Sequence, residues 1–209
     1  MSNSKRLLSK AELGLVNIAA KEKFRYDLNR IHVTEEYTEA TDGHCLMRVK
    51  KDEMDPTDYP LAGIPGHEFK DDIDIQIPID SIKNLKNPAE SRLPILKFAC
   101  VSTNDKEVYV STTNLQTVNS VTIPETIQEG KYPDTNQVIP KFKSDAIKFG
   151  LDARLIGKVF DYANKHGNKR FVGMTFTIPK DYDGVSAIQI EFKTWSGQEV
   201  LAIVMPCRI

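Results

Sequence analysis

The stretch F-G-L-D-A-R-L-I-G-K-V-F-D-Y-A-N-K at residues 149–165 holds the clearest structural signal in the chain. Apolar side chains recur in it at helical spacing, which predicts a helix with one packed face. These side chains are Leu155, Ile156, Val159, Phe160 and Ala163. Asp152 precedes the run as a predicted cap, because its carboxylate accepts hydrogen bonds from the N–H groups at a helix start. Gly167 is of the residue type that commonly ends a helix.

Two earlier stretches repeat this arrangement of an apolar pair, a cap residue and a helical run. They are L-L-S-K-A-E-L-G-L-V-N-I-A-A-K at 7–21 and I-P-I-D-S-I-K-N-L-K at 77–86. Ser9 and Asp80 are the predicted caps, and Ser9 with Glu12 also matches the capping-box pattern. The chain is therefore predicted to contain three imperfect copies of one structural unit.

Each helical stretch is followed by segments with the residue alternation that is typical of β-strands. These segments are 24–33 and 37–49, then 96–102 and 108–123, then 171–178, 187–192 and 200–205. The order favours short antiparallel hairpins with the helices laid on one face of each sheet. The predicted fold class is α+β, with tandem β-α-β-β-β units.

Two segments interrupt the repeated pattern. Residues 50–74 are rich in proline, glycine and charged side chains, which predicts a long exposed loop. A boundary at P-K-F-K-S-D, residues 140–145, separates the second unit from the third. We expect a two-unit domain at 1–140 and a half domain of one unit at 141–209.

Composition excludes several classes of protein. The 28 basic and 29 acidic residues give a net charge of −1, so bulk charge does not predict nucleic-acid binding. Cys45, Cys100 and Cys207 lack metal-ligand spacing, so we expect reduced thiols, no metal and no cofactor. The N-terminus lacks a signal-peptide core, and no apolar run reaches about 18 residues, which predicts a cytoplasmic protein.

Asp42 and His44 are the candidates for acid–base chemistry, since a carboxylate can orient an imidazole. The chain lacks a G-x-S-x-G nucleophile motif and a phosphate-binding G-x-x-x-x-G-K-[ST] loop. We therefore expect Asp42 to hydrogen-bond within a turn and the protein not to be an enzyme. A small hydrolase that uses Asp42 and His44 is the remote alternative.

Four motifs carry a resemblance to a known family. They are R-Y-D-L-N-R-I at 25–31, A-T-D-G-H-C-L at 40–46, G-K-Y-P-D at 130–134 and V-M-P-C-R-I at 204–209. In this order they resemble the bacterial sliding clamp, the beta subunit of DNA polymerase III. Residues 7–140 resemble a complete middle domain of that family, and residues 144–209 resemble the second half of its last domain.

The resemblance implies a groove that binds a short apolar peptide of a polymerase or repair factor. Apolar side chains of such a groove bury the anchor residue of the peptide, and methionine adapts to different peptides. Carried over by matching position, the partner-binding residues are Leu28, Thr41, Gly43, His44, Leu46, Pro133, Val138, Val204, Met205 and Pro206.

Basic residues gather around the three predicted helices, whereas acidic residues concentrate in the 52–74 loop and in turns. This segregation suits a track that contacts the phosphates of duplex DNA without reading sequence. The predicted DNA-binding residues are Lys10, Lys21, Lys23, Lys83, Lys86, Arg154, Lys158 and Lys165. Ordinary solvated helix faces are the alternative explanation.

With the resemblance, these features predict a non-enzymatic, clamp-like processivity factor for DNA replication. It would hold a polymerase, or another protein with a clamp-binding motif, on duplex DNA and so raise its effective concentration there. The alternative is a clamp-fold adaptor that binds clamp partners without encircling DNA. A homo-oligomer and a compact monomer both stay open as the assembly state.

Overall fold

A computed structural model describes residues 6–22, 28–52, 73–86, 88, 92–104, 107–124, 127, 131–141, 147–168, 171–180, 182–184 and 186–207. The chain divides into two compact units, Met1–Ile139 (unit 1) and Pro140–Ile209 (unit 2). Lys23, most of the 50–74 loop, and part of the 25–31 and 130–134 motifs lie outside the described residues.

Unit 1 consists of two halves with the same order of elements. The first half contains β1 (Arg6–Ser9), α1 (Lys10–Leu13), a 3-10 helix (Gly14–Asn17), β2 (Arg30–Thr34), β3 (Tyr37–Thr41) and β4 (Leu46–Lys50). The second contains β5 (Asp74–Pro78), α2 (Ile79–Lys83), α3 (Pro94–Lys97), β6 (Phe98–Thr103), β7 (Glu107–Thr113) and β8 (Val118–Pro124). A 3-10 helix, Thr135–Gln137, follows them.

The two halves of unit 1 exchange their first strands. One antiparallel sheet has the order β1-β6-β7-β8 and the other has the order β4-β3-β2-β5. Leu8 of β1 pairs with Ala99 of β6, and Ile77 of β5 pairs with Ile31 of β2. Each sheet therefore obtains its fourth strand from the opposite half, and neither half completes a sheet alone.

One hydrophobic core serves both halves of unit 1. Its buried cluster includes Leu8, Ile31 and Val33 from the first half, and Ile77, Val101 and Val110 from the second. Alternate residues of the strands face this core, as the period of two for a strand requires. Burial of the shared cluster holds the two sheets together, because transfer of apolar surface out of water stabilises the fold.

A buried ion pair fixes the exchanged strand β1. The guanidinium of Arg6 donates to Glu12 Oε1 at 2.6 Å and to the Thr34 carbonyl at 3.0 Å. It also donates to Thr38 Oγ1 at 2.9 Å, which joins β1 to a strand of the other sheet. Glu12 Oε2 accepts from the Ser9 N–H at 2.8 Å and so completes the predicted capping box.

Unit 2 is a single half with a smaller core. It contains α4 (Ala153–His166), β9 (Met174–Thr177), β10 (Ile188–Lys193) and β11 (Glu199–Val204), and its antiparallel sheet has the order β11-β10-β9. The buried cluster of this unit consists of Ile188, Ile190 and Val204, with half-buried side chains from α4 around it. Asp152 caps α4 as predicted, since its side chain accepts from the Arg154 N–H.

The antiparallel sheets with helices confirm the predicted α+β class. Three details of the prediction are wrong. Pro78, not Asp80, is the N-cap of α2. Leu155 and Phe160 are 42% and 41% exposed, so the packed face of α4 is narrower than the apolar pattern indicates. The predicted strand segments at 37–49 and 108–123 are each two strands: a turn at 42–45 separates β3 from β4, and a turn centred on Leu115 separates β7 from β8.

Replacing Glu12 with Gln should strongly destabilise unit 1. The substitution keeps the side-chain shape but leaves the buried Arg6 charge without its counter-charge, at a cost of about 3–5 kcal/mol. The measurement is the free energy of unfolding in urea. The control is Asp80→Asn, which removes the exposed Asp80–Lys83 pair and should cost less than about 1 kcal/mol. Equal, small effects of the two substitutions would contradict a central role for the Arg6–Glu12 pair.

Candidate partner-binding site

The turn between β3 and β4 holds four of the predicted partner-binding residues. Thr41 and Leu46 are cross-strand partners at the ends of these strands, and Gly43 and His44 lie in the turn between them. Gly43 has φ of 90°, a backbone conformation that glycine adopts without a steric penalty. Thr41 Oγ1 accepts from the Gly43 N–H at 3.0 Å, so the turn has a fixed geometry.

The side chain of Asp42 accepts hydrogen bonds from the main chain of this turn. Its Oδ1 accepts from the N–H groups of His44 and Cys45, each at 2.8 Å. These two hydrogen bonds lower the pKa of Asp42 below its ordinary value. The predicted hydrogen-bonded turn is confirmed, and the carboxylate is used in it, which does not favour Asp42 as a catalytic base.

A buried carboxylate anchors the segment 131–137 to the sheet of the first half. Thr135 Oγ1 donates to Glu39, with distances of 2.9 and 2.8 Å to the two carboxylate oxygens. Arg48 Nε donates to Glu39 Oε2 at 2.9 Å, and Arg48 Nη2 donates to Thr135 Oγ1 at 2.8 Å. This places the Lys131–Pro133 part of the G-K-Y-P-D motif over the same face of β3 and β4 that carries Thr41 and Leu46.

His32 joins the same cluster. Its Nδ1 lies 2.9 Å from Glu39 Oε1 and its Nε2 lies 2.7 Å from Asp74 Oδ1, while its ring stacks on Tyr132 at 4.6 Å between centroids. An open cavity of about 390 Å³ lies beside these side chains. Because the polar groups are bound to one another, the arrangement positions the segment rather than providing an acid–base pair.

Opposing effects set the pKa values in this cluster. Burial lowers the pKa of His32, but hydrogen bonds with Glu39 and Asp74 and their negative charges outweigh burial and raise it. Burial raises the pKa of Glu39, but hydrogen bonds from His32, Thr135 and Arg48 outweigh burial and lower it. Burial and the charge of Glu39 raise the pKa of Tyr132. The structure therefore favours a protonated His32 beside an ionised Glu39.

The other predicted partner-binding residues of unit 1 are Leu28, Pro133 and Val138, and they differ in solvent exposure. Val138 is 70% exposed at the end of the 3-10 helix Thr135–Gln137, and Pro133 is also exposed. Leu28 is half-buried in the turn before β2, where its carbonyl accepts from the Ala20 N–H at 3.0 Å. Val138 and Pro133 thus present apolar surface to solvent beside the anchored segment.

The end of strand β11, in unit 2, and the residues just after it hold three of the predicted partner-binding residues, and one of them requires a correction. Val204 is only 4% exposed and belongs to the core of this unit, so the prediction that its side chain contacts a peptide is wrong. The alternate residues Leu201, Ile203 and Met205 are 61%, 56% and 58% exposed. They form an outward apolar row (the β11 row) that ends at the half-buried Pro206.

Sequence reasoning missed Leu201 and Ile203, although the sequence contains their signal. V-L-A-I-V-M at 200–205 alternates, so a buried Val204 places Leu201, Ile203 and Met205 on the opposite face. The Glu39 cluster was also missed, because His32, Glu39 and Arg48 meet through strand pairing. Thr135 joins them from a segment 96 residues away from Glu39.

Most of the predicted DNA-binding residues that the structure describes lie on exposed helix surfaces or beside them. Exposed positions are Lys10, Lys21, Lys83, Lys86, Arg154, Lys158 and Lys165. Two of them have acidic partners: Lys83 Nζ lies 3.0 Å from Asp80, and Arg154 Nη2 lies 2.6 Å from Asp152. Arg6, another basic residue close to the first helix, is buried and cannot reach a phosphate.

The described residues show no cluster of three His, Cys, Asp or Glu side chains that could hold a metal ion. In the same part of the chain, no helix combines the length and apolar character needed to cross a membrane. Cys45 and Cys207 are exposed, Cys100 is buried, and all three are free thiols in the structure.

No family model matches the chain, and no curated protein matches it in sequence. Solved structures do match it. The beta sliding clamp of Caulobacter crescentus, solved with polyethylene glycol bound, matches with a TM-score of 0.59 and 17% identity over 97% of this chain and 50% of the clamp. The DNA polymerase beta subunit of Streptococcus pyogenes matches with a TM-score of 0.58 and 12% identity, covering 100% of this chain and 51% of that chain.

A further Caulobacter crescentus sliding clamp has a TM-score of 0.57 and 18% identity over 97% of this chain and 50% of the clamp. The protein therefore has the fold of bacterial beta sliding clamps. It spans about half the length of the clamps it matches.

The His32–Glu39 cluster predicts that the stability of unit 1 depends on pH. The raised pKa of His32 gives a contribution that is fully present below its ordinary value of 6.5 and is lost as pH rises through the higher folded value. The lowered pKa of Glu39 gives a contribution that is present above 4.5 and is lost as pH falls through the lower folded value.

The measurement is the free energy of unfolding as a function of pH for the wild-type protein and for His32→Gln. The stability advantage of the wild type should shrink as pH rises above 6.5, because the variant lacks the titrating group. Parallel curves on the alkaline side would show that His32 does not contribute through its charge.

Proposed function

We propose that this protein is a non-enzymatic, clamp-like tether that binds an apolar peptide segment of a replication or repair protein and holds that partner on duplex DNA. The observation that carries this proposal is the sliding-clamp fold over 97–100% of the chain. We assign residues 1–140 to one complete clamp-like domain and residues 141–209 to a half domain.

The chemistry of the β11 row supports peptide binding. Leu201, Ile203 and Met205 present adjacent apolar side chains on one strand, and methionine adjusts its shape to different ligands. In unit 1, the fixed turn at Thr41–Leu46 and the anchored segment at Pro133–Val138 present a second group of exposed apolar and polar side chains. Both groups offer the mixture of apolar contact and a few orienting polar groups that peptide sites use.

The exposed lysines support contact with DNA. Lys158 and Lys165 lie on the outward side of α4, and Lys21 and Lys86 are exposed near the ends of the helical segments of unit 1. Lysines in such positions bind phosphates without reading the base sequence, so their contribution should weaken with salt.

The ion pairs of two predicted DNA-binding residues favour a second candidate function. Arg154 is bound by Asp152, and Lys83 is bound by Asp80, so these charges are partly compensated within the protein. A clamp-fold adaptor that binds the same apolar peptides without encircling DNA needs no further positive charge. The two candidates share the peptide site and differ only in DNA binding.

Replacing Met205 or Ile203 with Ala should weaken the binding of a labelled clamp-motif peptide about five- to thirtyfold, the effect expected when a central apolar contact is truncated. Fluorescence anisotropy of the peptide is the measurement. Leu46→Ala tests the separate group of side chains in unit 1 and should weaken peptide binding if that group contacts a peptide.

Two controls separate binding from folding. Trp195→Ala removes a side chain that is 77% exposed in the β10–β11 turn and should leave peptide affinity unchanged. Val204→Ala should lower the stability of unit 2, because this side chain lies in its core. Unchanged affinity in both Met205→Ala and Ile203→Ala would remove the β11 row from the site.

Replacing Lys158 and Lys165 together with Gln should reduce the slope of log affinity for duplex DNA against log salt concentration by about 2, since each phosphate contact contributes about 0.9. Anisotropy of labelled duplex DNA at several salt concentrations gives this slope. The control is Lys193→Gln, which removes a lysine paired with Glu199 on the sheet. If the wild-type protein does not bind duplex DNA even at low salt, the adaptor function replaces the tether.

A further inference from the structure

Strand β9 of unit 2 occupies the place that β6 occupies in unit 1, yet it is an edge strand. The buried pair Ile188–Val204 of β10–β11 corresponds to the buried pair Val108–Ile123 of β7–β8. When these pairs are taken as equivalent, the pairing of β9 with β10 can be compared with the pairing of β6 with β7. Met174 of β9 then corresponds to Ala99 of β6, and Phe176 corresponds to Val101.

The burial of these counterparts differs sharply. Ala99 and Val101 are 0% and 1% exposed, because their side chains lie in the core shared by the two halves, and β1 pairs with the outer edge of β6. Phe176 is 41% exposed and Thr175 is also exposed. The edge of β9 thus presents main-chain groups and an apolar side chain at the position where unit 1 has an exchanged strand.

Unit 2 also contains the counterpart of the exchanged strand. Leu151 immediately precedes the cap residue Asp152, as Leu8 of β1 precedes the cap residue Ser9. The carbonyl of Gly150 accepts from the Cys207 N–H at 2.9 Å in an antiparallel bridge. Because main-chain groups alternate in direction along a strand, those of Phe149 and Leu151 point to the opposite edge of this segment.

The core of unit 2 is correspondingly incomplete. The cluster of Ile188, Ile190 and Val204 is far smaller than the shared core of unit 1. Leu155 and Phe160 of α4 and Phe176 of β9 stay 41–42% exposed, and Phe160 contacts Phe176 edge-to-face at 6.5 Å. A half of this kind leaves apolar surface that a second half covers in unit 1.

We propose that two copies of this chain associate through unit 2 by reciprocal strand exchange. Segment 149–151 of each copy adds to the outer edge of β9 of the other, in the register that β1 has on β6. This register places Leu151 opposite Met174, Gly150 opposite Thr175, and Phe149 opposite Phe176 of the second copy. The exposed apolar side chains of α4 and β9 then enter a core shared between the copies.

The occupant of the β9 edge is a second copy because unit 2 carries both complementary parts, the donor segment and the acceptor edge. Among the described residues of unit 2, neither part pairs with its counterpart, and a two-fold axis satisfies both at once in an isologous interface. In unit 1, two halves with the same order of elements already exchange their first strands within one chain. The inference does not rest on the proposed peptide or DNA binding.

Light scattering of the full-length protein during gel filtration tests the association. The wild type should have twice the 23.6 kDa mass of one chain. Phe176→Lys should return it to one chain, because a charge at this edge opposes both strand addition and burial. Trp195→Lys is the matched control: it makes the same kind of change at a side chain 77% exposed in a turn and should stay dimeric.

Disulfide trapping tests the register and does not depend on the folding of the Phe176 variant. In a Cys45→Ser, Cys207→Ser background, Gly150→Cys with Thr175→Cys should form covalent dimers on mild oxidation, since both positions are opposite each other across the interface. Gly150 has no positive φ and so accepts a side chain without backbone strain. Lys148→Cys with Thr175→Cys, offset by about 7 Å along the strand, should link poorly.

Three results would overturn the proposal. One is a wild-type monomer at concentrations up to about 100 µM, where an association of micromolar affinity would be evident. Another is a dimer that Phe176→Lys and Trp195→Lys affect equally. The third is equal cross-linking of the two cysteine pairs, which would place the contact elsewhere.

Discussion

The exchange of first strands between the two halves of unit 1 is the constraint on which the rest of the structure depends. β1 and β5 each complete the sheet of the other half. Each half therefore depends on the other for its sheet and for the shared core, and the helices that follow β1 and β5 are positioned by the same exchange. The Arg6–Glu12 pair lies at the start of this exchange, where one guanidinium reaches a carboxylate of α1 and a hydroxyl of β3. Such a pair adds little net stability, because removal of both charges from water is costly, but loss of one partner is strongly destabilising, because it leaves the other charge buried alone.

The Glu39 cluster applies the same principle to the candidate site. A buried carboxylate is tolerated in the sheet because His32, Arg48 and Thr135 all bind it. Thr135 belongs to the segment after β8, so the cluster fixes that segment over β3 and β4. The cluster thereby also sets the positions of the exposed Pro133 and Val138 at the two ends of the segment. The geometry of the apolar surface is thus set by polar contacts beneath it.

The sequence allowed the repeated units, two of the three caps and the antiparallel hairpins to be predicted, because these depend on local patterns. The exchanged strands are only four and five residues long, and R-L-L-S and D-I-Q-I-P resemble the approach to a helix. The turn at Leu115 has φ of 74°, which leucine rarely adopts, so no turn motif marked it. Val204 was assigned to the site by motif position, although the alternation of V-L-A-I-V-M places Ile203, and not Val204, on the exposed face of the strand.

The position of the β11 row relative to the β9 edge connects the proposals. β10 separates the two strands in the sheet of unit 2, so strand addition at β9 leaves the outward face of β11 open to a peptide. A dimer joined at β9 would therefore carry two copies of the β11 row and two copies of α4 with its lysines. Two linked weak sites retain a ligand far longer than one, because dissociation requires both to release together. The chain is about half as long as the clamps it matches, and under the proposed function such pairing would add a second set of contacts to those of one copy.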